Sequence, residues 1–96
     1  MERMEEASRH EKDVPVVNKF GLHVRAVGRF VDIAQKFDAE IRVRHGEKEA
    51  DGKSIIEMLT LGAKSGAVLK LIAHGRDAAQ AIQDLEGLMR SHFHEE

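Results

Sequence analysis

The segment EIRVRHGEKEAD, residues 40–51, decides the fold of this 96-residue chain. Apolar and charged side chains alternate at its start, so Ile41 and Val43 are expected to face a core while the intervening arginines face water. His45-Gly46-Glu47 then predicts a tight turn into a short polar strand, which Gly52 ends. The pattern therefore predicts a β-hairpin near the middle of the chain.

On the N-terminal side of this hairpin, a strand is followed by a helix. Residues 14–17 (VPVV) predict a strand, and Pro15 places it at a sheet edge because proline cannot donate to a ladder. Gly21 breaks this strand, and from Val24 onward the apolar residues recur every three or four positions, as on one face of a helix. They are Val27, Phe30, Val31, Ala34 and Phe37.

On the C-terminal side, Ser54 with Glu57 three residues later predicts the capped start of a short helix. Residues 67–73 predict an apolar strand, and Asp77 is expected to cap a last helix. The buried stripe of that helix comprises Ala78, Ala81, Ile82, Leu85, Leu88 and Met89. The order β-α-β-β-α-β-α predicts an α+β fold, an open-faced sandwich of one four-stranded antiparallel sheet with three helices on one face.

The length allows only one core. Residues 1–13 carry neither a strand pattern nor a core pattern, and we expect them to form a mobile N-terminal extension to a single domain over residues 14–96. The strand over residues 67–73 should place Leu69 and Leu71 under the helices, which leaves Val68 and Ile72 on the open face. That apolar strip predicts a cover, either the extension or a second copy of the chain, so a monomer or a weak dimer is expected.

Composition excludes several classes of function. Cysteine is absent, so there is no disulfide and no thiolate metal site, and His92 and His94 are poorly spaced for a metal pair. A net charge of −2 and four phenylalanines as the only aromatic residues argue against a nucleic-acid partner. No apolar run reaches the ~18 residues that a membrane span needs. We expect a soluble, cytoplasmic protein without a metal or another cofactor.

The chemistry is expected where the first strand meets the first helix, at Gly21-Leu22-His23-Val24-Arg25. Unpaired N–H groups at a helix N-terminus favour an anion, and Arg25 adds a permanent positive charge. His23 supplies an imidazole that can act as a nucleophile. These residues alone leave two interpretations open: a phosphohistidine site, or a histidine and an arginine that merely lie on the surface.

Three blocks of sequence resemble the HPr family, the histidine phosphocarriers of the bacterial phosphotransferase system. VVNKFGLH, residues 16–23, resembles the family's start, and its motif Gly-Leu-His-Ala-Arg-Pro stands here as GLHVRA, with Val24 and Ala26 as departures. Residues 51–63 resemble the family's regulatory-serine helix, and residues 75–81 match the start of its final helix. The resemblance runs from about residue 14 to about residue 90.

The resemblance implies a phosphoryl relay and not a turnover enzyme. His23 would accept a phosphoryl group on Nδ1 from enzyme I, charged by phosphoenolpyruvate, and pass it to an enzyme IIA domain, while Arg25 neutralises the phosphoryl oxygens. Ser54 corresponds to the serine that an HPr kinase/phosphorylase modifies in some members. The alternative is a regulatory HPr-like binding module that acts through phospho-Ser54, or a carrier in nitrogen-type phosphotransferase signalling.

The resemblance also implies an apolar surface beside the histidine that partners bind. The short helix carries four apolar residues, of which at least two are expected in the core. Ile55 and Leu59, four apart on one face, are the candidates for exposure, which leaves Ile56 and Met58 for the core. Val24 joins this partner surface, and Phe20 either flanks it or packs in the core.

Overall fold

The computed structural model describes residues 8–95. Four strands form one antiparallel sheet in the order β1-β4-β2-β3, and the predicted open-faced sandwich is confirmed. In chain order the elements are β1 (Arg9–Pro15), α1 (Val24–Ala34), β2 (Glu40–His45), β3 (Lys48–Asp51), α2 (Ile55–Leu59), β4 (Val68–His74), α3 (Ala78–Arg90) and a 3₁₀ turn (His92–His94). Among the described residues, no helix has both the length and the apolar character needed to span a membrane.

The core lies between one face of the sheet and the helices, as the side-chain alternation predicts. Ile41 and Val43 of β2 are fully buried, as are Leu69 and Leu71 of β4. The predicted stripe of α3 is buried in full, and α1 buries Ala26, Val27, Phe30, Val31 and Ala34. Phe37 lies beyond the end of α1 and packs against the core half-buried.

Strand β1 begins at Arg9 instead of Val14, so the predicted domain boundary is wrong for residues 9–13. These residues pair antiparallel with β4, in a register that runs from Arg9↔His74 to Pro15↔Val68. Their exposed, charged side chains lack the apolar alternation by which a strand is recognised, whereas the pairing depends on backbone groups. The edge position of Pro15 is confirmed. The rest of the predicted extension, residues 1–7, lies outside the described residues.

The open face of the sheet is largely a layer of charged pairs. Lys70 lies 3.2 Å from the Asp13 carboxylate, and Arg42 lies 2.9 Å from Glu49. Ile72 stands in register between Glu11 of β1 and Arg42 of β2 and is only 6% exposed, whereas Val68 is 54% exposed. Of the two covers expected for this strip, part of the N-terminal extension is present at Ile72, because Glu11 lies beside it in β1. It does so as an edge strand of the sheet and does not fold across the open face.

Asp77 is the N-cap residue of α3, as predicted, but its side chain makes no capping hydrogen bond. Its two carboxylate oxygens accept hydrogen bonds from the backbone N–H groups of Asp38 and Ala39, each at 2.9 Å. The bond from Asp38 lowers the pKa of Asp77; burial opposes this, and the bond from Ala39 adds to it. The segments meet here because Gly75, at φ 145°, lets the chain approach Ala39, whose Cα would lie 2.8 Å from a Cβ at that glycine.

Candidate functional site

The loop between β1 and α1 is held against the segment that follows α2. Val16 N–H donates to the Ala67 carbonyl at 2.7 Å, and Leu22 N–H donates to the Ala63 carbonyl at 3.0 Å. Gly21 has φ 67°, and a Cβ there would lie 2.7 Å from the Ala63 oxygen, so the site tolerates no side chain. This close approach fixes the direction in which the chain enters α1.

His23 is the N-cap residue of α1, with an extended backbone. Its Nδ1 accepts a hydrogen bond from the Arg25 N–H at 3.3 Å, and its side chain is 32% exposed. A neutral imidazole that accepts at Nδ1 carries its proton on Nε2. The nitrogen with the free electron pair is therefore the one that faces the N-terminus of α1, where a phosphoryl group would find N–H donors.

Arg25 lies exposed in the first turn of α1, and its guanidinium forms no salt bridge with any residue in the described part of the chain. With Phe20, His23 and Glu95 it lines a depression of about 300 Å³. The Phe20 ring stands edge-on to the imidazole, with the ring centroids 6.0 Å apart. The arrangement places a cation that forms no salt bridge beside the imidazole in a solvent-accessible hollow.

Glu95 is the member of this site that the sequence did not reveal. Its carboxylate hydrogen-bonds His23 Nε2, and it also accepts from Asn18 Nδ2 at 3.1 Å. Burial raises the pKa of Glu95, but the hydrogen bonds from Asn18 and His23 outweigh it, so the pKa lies below its ordinary value. No local pattern could have indicated this contact, because the two residues lie 72 positions apart in the chain.

The segment after α3 is anchored so that Glu95 reaches the site. Phe93 is fully buried, and His92, Phe93 and His94 all have φ between 55° and 60°, a backbone region that residues other than glycine seldom occupy. Arg29 of α1 donates to the carbonyl oxygens of Phe93 at 2.7 Å and His94 at 3.1 Å. Between residues 8 and 95 there is no group of three side chains able to hold a metal ion.

Ser54 is the N-cap residue of α2, as predicted, and its hydroxyl accepts from the Glu57 N–H at 3.2 Å. In a capping box the Glu57 carboxylate would accept from the Ser54 N–H. Here it accepts instead from the Asp51 N–H, at 2.9 Å. Ser54 is half-buried and lies outside the hollow beside His23.

The short helix α2 exposes more of its apolar residues than predicted. Of its residues only Met58 is buried. Ile56, expected in the core, is 77% exposed. A helix of five residues has room for few side chains on the side that faces the core. The exposure of Ile55 and Leu59 is confirmed, and Phe20 is exposed rather than in the core. The exposed apolar residues of this region form what we call the apolar patch: Phe20, Val24, Ile55, Ile56 and Leu59.

Comparison with known proteins connects this geometry to one family. A family model described as the PTS HPr component phosphorylation site matches residues 10–91. The phosphocarrier protein HPr of Neisseria meningitidis serogroup A is 34% identical over 85 residues, which cover 88% of this chain and 96% of that protein. The phosphocarrier protein NPr of Shewanella violacea is 36% identical over 85 residues, covering 88% and 93%.

A solved structure agrees with these relatives. The crystal structure of HPr-C-His from Thermoanaerobacter tengcongensis superposes with a TM-score of 0.87 at 40% identity, over 91% of this chain and 98% of that one. The family model begins at residue 10, so its match also includes most of β1, which the sequence pattern predicted only from Val14.

Proposed function

The chain belongs to the HPr family, and we propose that it is a phosphoryl carrier of the phosphotransferase system. His23 Nδ1 accepts the phosphoryl group from phosphorylated enzyme I and passes it to an enzyme IIA domain in the cytoplasm. The observation that supports this proposal is the position of Nδ1, which accepts the Arg25 N–H in the first turn of α1. The chain is consumed and regenerated in the relay, so it is a covalent intermediate and not an enzyme with turnover of its own.

The transfer step uses groups that are already in place. The Nδ1 electron pair forms a bond to phosphorus, while the bond from phosphorus to the donor breaks and its electron pair stays with the donor. The Arg25 N–H, which donates to Nδ1 in the free protein, becomes available to a phosphoryl oxygen. The Arg25 guanidinium neutralises further negative charge. Phosphoryl transfer requires little beyond such positioning and charge stabilisation.

The apolar patch is the proposed docking surface for enzyme I and enzyme IIA. Phe20 and Val24 lie beside His23 in the chain, and α1 contacts α2, which carries the other three residues. An exposed apolar surface beside the reacting atom suits a carrier that must meet two partners in turn, because one surface can serve both. An HPr kinase/phosphorylase is a third proposed partner, acting on Ser54.

A second candidate function is regulatory, and the position of Ser54 favours it. The residue immediately precedes Ile55 and Ile56, so a phosphate on Ser54 would place negative charge at the margin of the apolar patch. The likeness to NPr of Shewanella violacea suggests a nitrogen-type branch as the setting. In either case Ser54 would control docking and leave the chemistry to His23.

A labelling reaction tests the proposal. The chain is incubated with phosphoenolpyruvate and catalytic enzyme I, and the expected result is an acid-labile phosphoadduct on His23 that an enzyme IIA domain discharges. Sugar-type and nitrogen-type enzyme I and enzyme IIA are tried in parallel, with a known HPr as the positive control. Failure of every pair to label this chain, while the control is labelled, would reject the carrier and favour the regulatory module.

A further inference from the structure

We propose that Glu95 is a positioning residue for phosphoryl transfer: it holds the His23 ring with the proton on Nε2 and the electron pair on Nδ1. The inference rests on the proposed function, which it deepens by adding a residue from the far end of the chain. Glu95 itself contacts neither the phosphoryl group nor the donor; it acts through the imidazole.

Both nitrogens of His23 have a partner, and the two partners are of opposite kinds. The Arg25 N–H can only donate, so Nδ1 accepts; an ionised carboxylate can only accept, so Nε2 donates. The carboxylate of Glu95 is kept ionised by the bonds from Asn18 and His23. Together the two contacts select one tautomer and one orientation of the ring, and that tautomer is the one that a nucleophilic Nδ1 requires.

Glu95 lies on the segment that follows α3, residues 91–95, which we call the arm. Several contacts hold this arm against the rest of the fold. Phe93 anchors it in the core, Arg29 binds two successive carbonyls of the turn, and Asn18 binds Glu95 directly. Asn18 is itself fully buried, and its Nδ2 also donates to the Gly21 carbonyl at 2.8 Å. The Asn18 amide therefore bonds both to the Glu95 carboxylate and to the loop that positions His23. It fixes the distance between the loop and the arm.

The contact also matters for charge during transfer. When Nδ1 bonds to phosphorus, the ring keeps its Nε2 proton and gains positive charge, which the carboxylate on the opposite side can offset. Arg25, which lines the same hollow, is a cation, and the Lys19 ammonium lies 5.6 Å from the centre of the Phe20 ring. Among the described residues that line the hollow, Glu95 is the only acid. In a Ser-His-Asp triad a carboxylate likewise fixes the tautomer and orientation of a histidine, which there acts as the base and here would act as the nucleophile.

The test joins a spectroscopic measurement to a rate. In the free protein, ¹⁵N shifts of the His23 ring report which nitrogen carries the proton, with no need for phosphorylation. Glu95→Ala is expected to move both ring signals toward the average of the two tautomers and to slow phosphoryl uptake from enzyme I by about tenfold. Asp32→Ala is the matched control, because it removes the same charge from an exposed position on α1.

A further variant separates the arm from the carboxylate. Arg29→Ala keeps Glu95 but removes the bonds to Phe93 and His94, and we expect smaller changes of the same sign in both measurements. Ring signals and rates in Glu95→Ala that stay within the range of Asp32→Ala would overturn the inference. An unmodified chain that is never phosphorylated would instead reject the proposed function, and with it the transfer role of Glu95, whatever the ring signals show.

Discussion

The N-terminal ends of α1 and α2 have similar caps but differ in the further contacts around the cap residue. In both, the N-cap residue is extended and its side chain accepts a backbone N–H, at 3.3 Å for His23 and 3.2 Å for Ser54. At α2 the remaining contacts are local, since Glu57 bonds to Asp51. At α1 the second contact comes from Glu95, and the nearby Arg25 forms no salt bridge within residues 8–95.

Under the proposed function, this difference separates a structural cap, Ser54, from a reactive one, His23. Ser54 begins a five-residue helix, and the side-chain hydrogen bonds of Ser54 and Glu57 lie within residues 51–57. The hydrogen bond of Ser54 therefore stabilises the helix. His23 begins an eleven-residue helix that buries five side chains. Because this packing stabilises the helix, its stability depends less on the cap. In the proposed transfer, the electron pair on Nδ1 would exchange its N–H donor for a phosphoryl group, and the packing of α1 would keep the fold in place.

The strongest way to break the comparison is to remove the reactive cap. His23→Ala should abolish phosphoryl uptake from enzyme I and leave the fold intact, because the bond from the Arg25 N–H is long and Glu95 keeps its bond from Asn18. Mass spectrometry at neutral pH detects the adduct, and circular dichroism reports the fold. An acid-labile phosphoadduct on the variant would assign the chemistry to another residue.

Arg25→Ala should slow phosphoryl uptake by about tenfold to a hundredfold without abolishing it, since the guanidinium stabilises charge and does not accept the group. Rapid-quench measurement of labelling gives the rate. Arg25→Lys should recover part of it, because a charge remains but the planar fork is lost. A rate for Arg25→Ala equal to that of the unmodified chain would show that the backbone N–H groups suffice.

Ile56→Ser tests whether the start of α2 contributes a docking surface. The variant should weaken binding of enzyme I by about tenfold, because Ile56 is the most exposed residue of the apolar patch. Val68→Ser is the matched control: Val68 is also exposed, at 54%, but lies on the open face of the sheet. Titration calorimetry compares the two. Equal affinities would place the docking surface elsewhere.

Ser54→Ala should lower the free energy of unfolding by about 1 kcal/mol through loss of the cap. Ser54→Asp should retain that stability, since aspartate also accepts from the Glu57 N–H, but it should weaken docking by adding charge beside Ile55 and Ile56. Chemical denaturation and binding titrations measure the two effects. A Ser54→Asp variant clearly less stable than Ser54→Ala would show that the side-chain cap at position 54 does not stabilise α2.

The comparison also shows how far sequence reasoning reaches. Local patterns predicted Ile41 in the core and Ser54 as a cap, because the relevant partners lie within a few residues or repeat with a fixed period. Strand β1 was only partly predicted, since exposed charged residues pair through their backbone. Glu95 and the carboxylate of Asp77 act on residues far away in the chain, where no spacing rule applies.

The smallest expected effect is a pH response of the contact between Glu95 and His23 at the start of α1. The pKa of Glu95 lies below its ordinary value of 4.5, so the folded state binds fewer protons there than the unfolded state. The stabilisation is therefore complete above that ordinary value and is lost as the pH falls through the lowered one. NMR signals of the Phe93 ring should shift over this acidic range as the arm is released. In Glu95→Gln the transition should disappear, because the titrating group is gone. A release that already occurs near neutral pH, or one that persists in Glu95→Gln, would show that another group controls the arm.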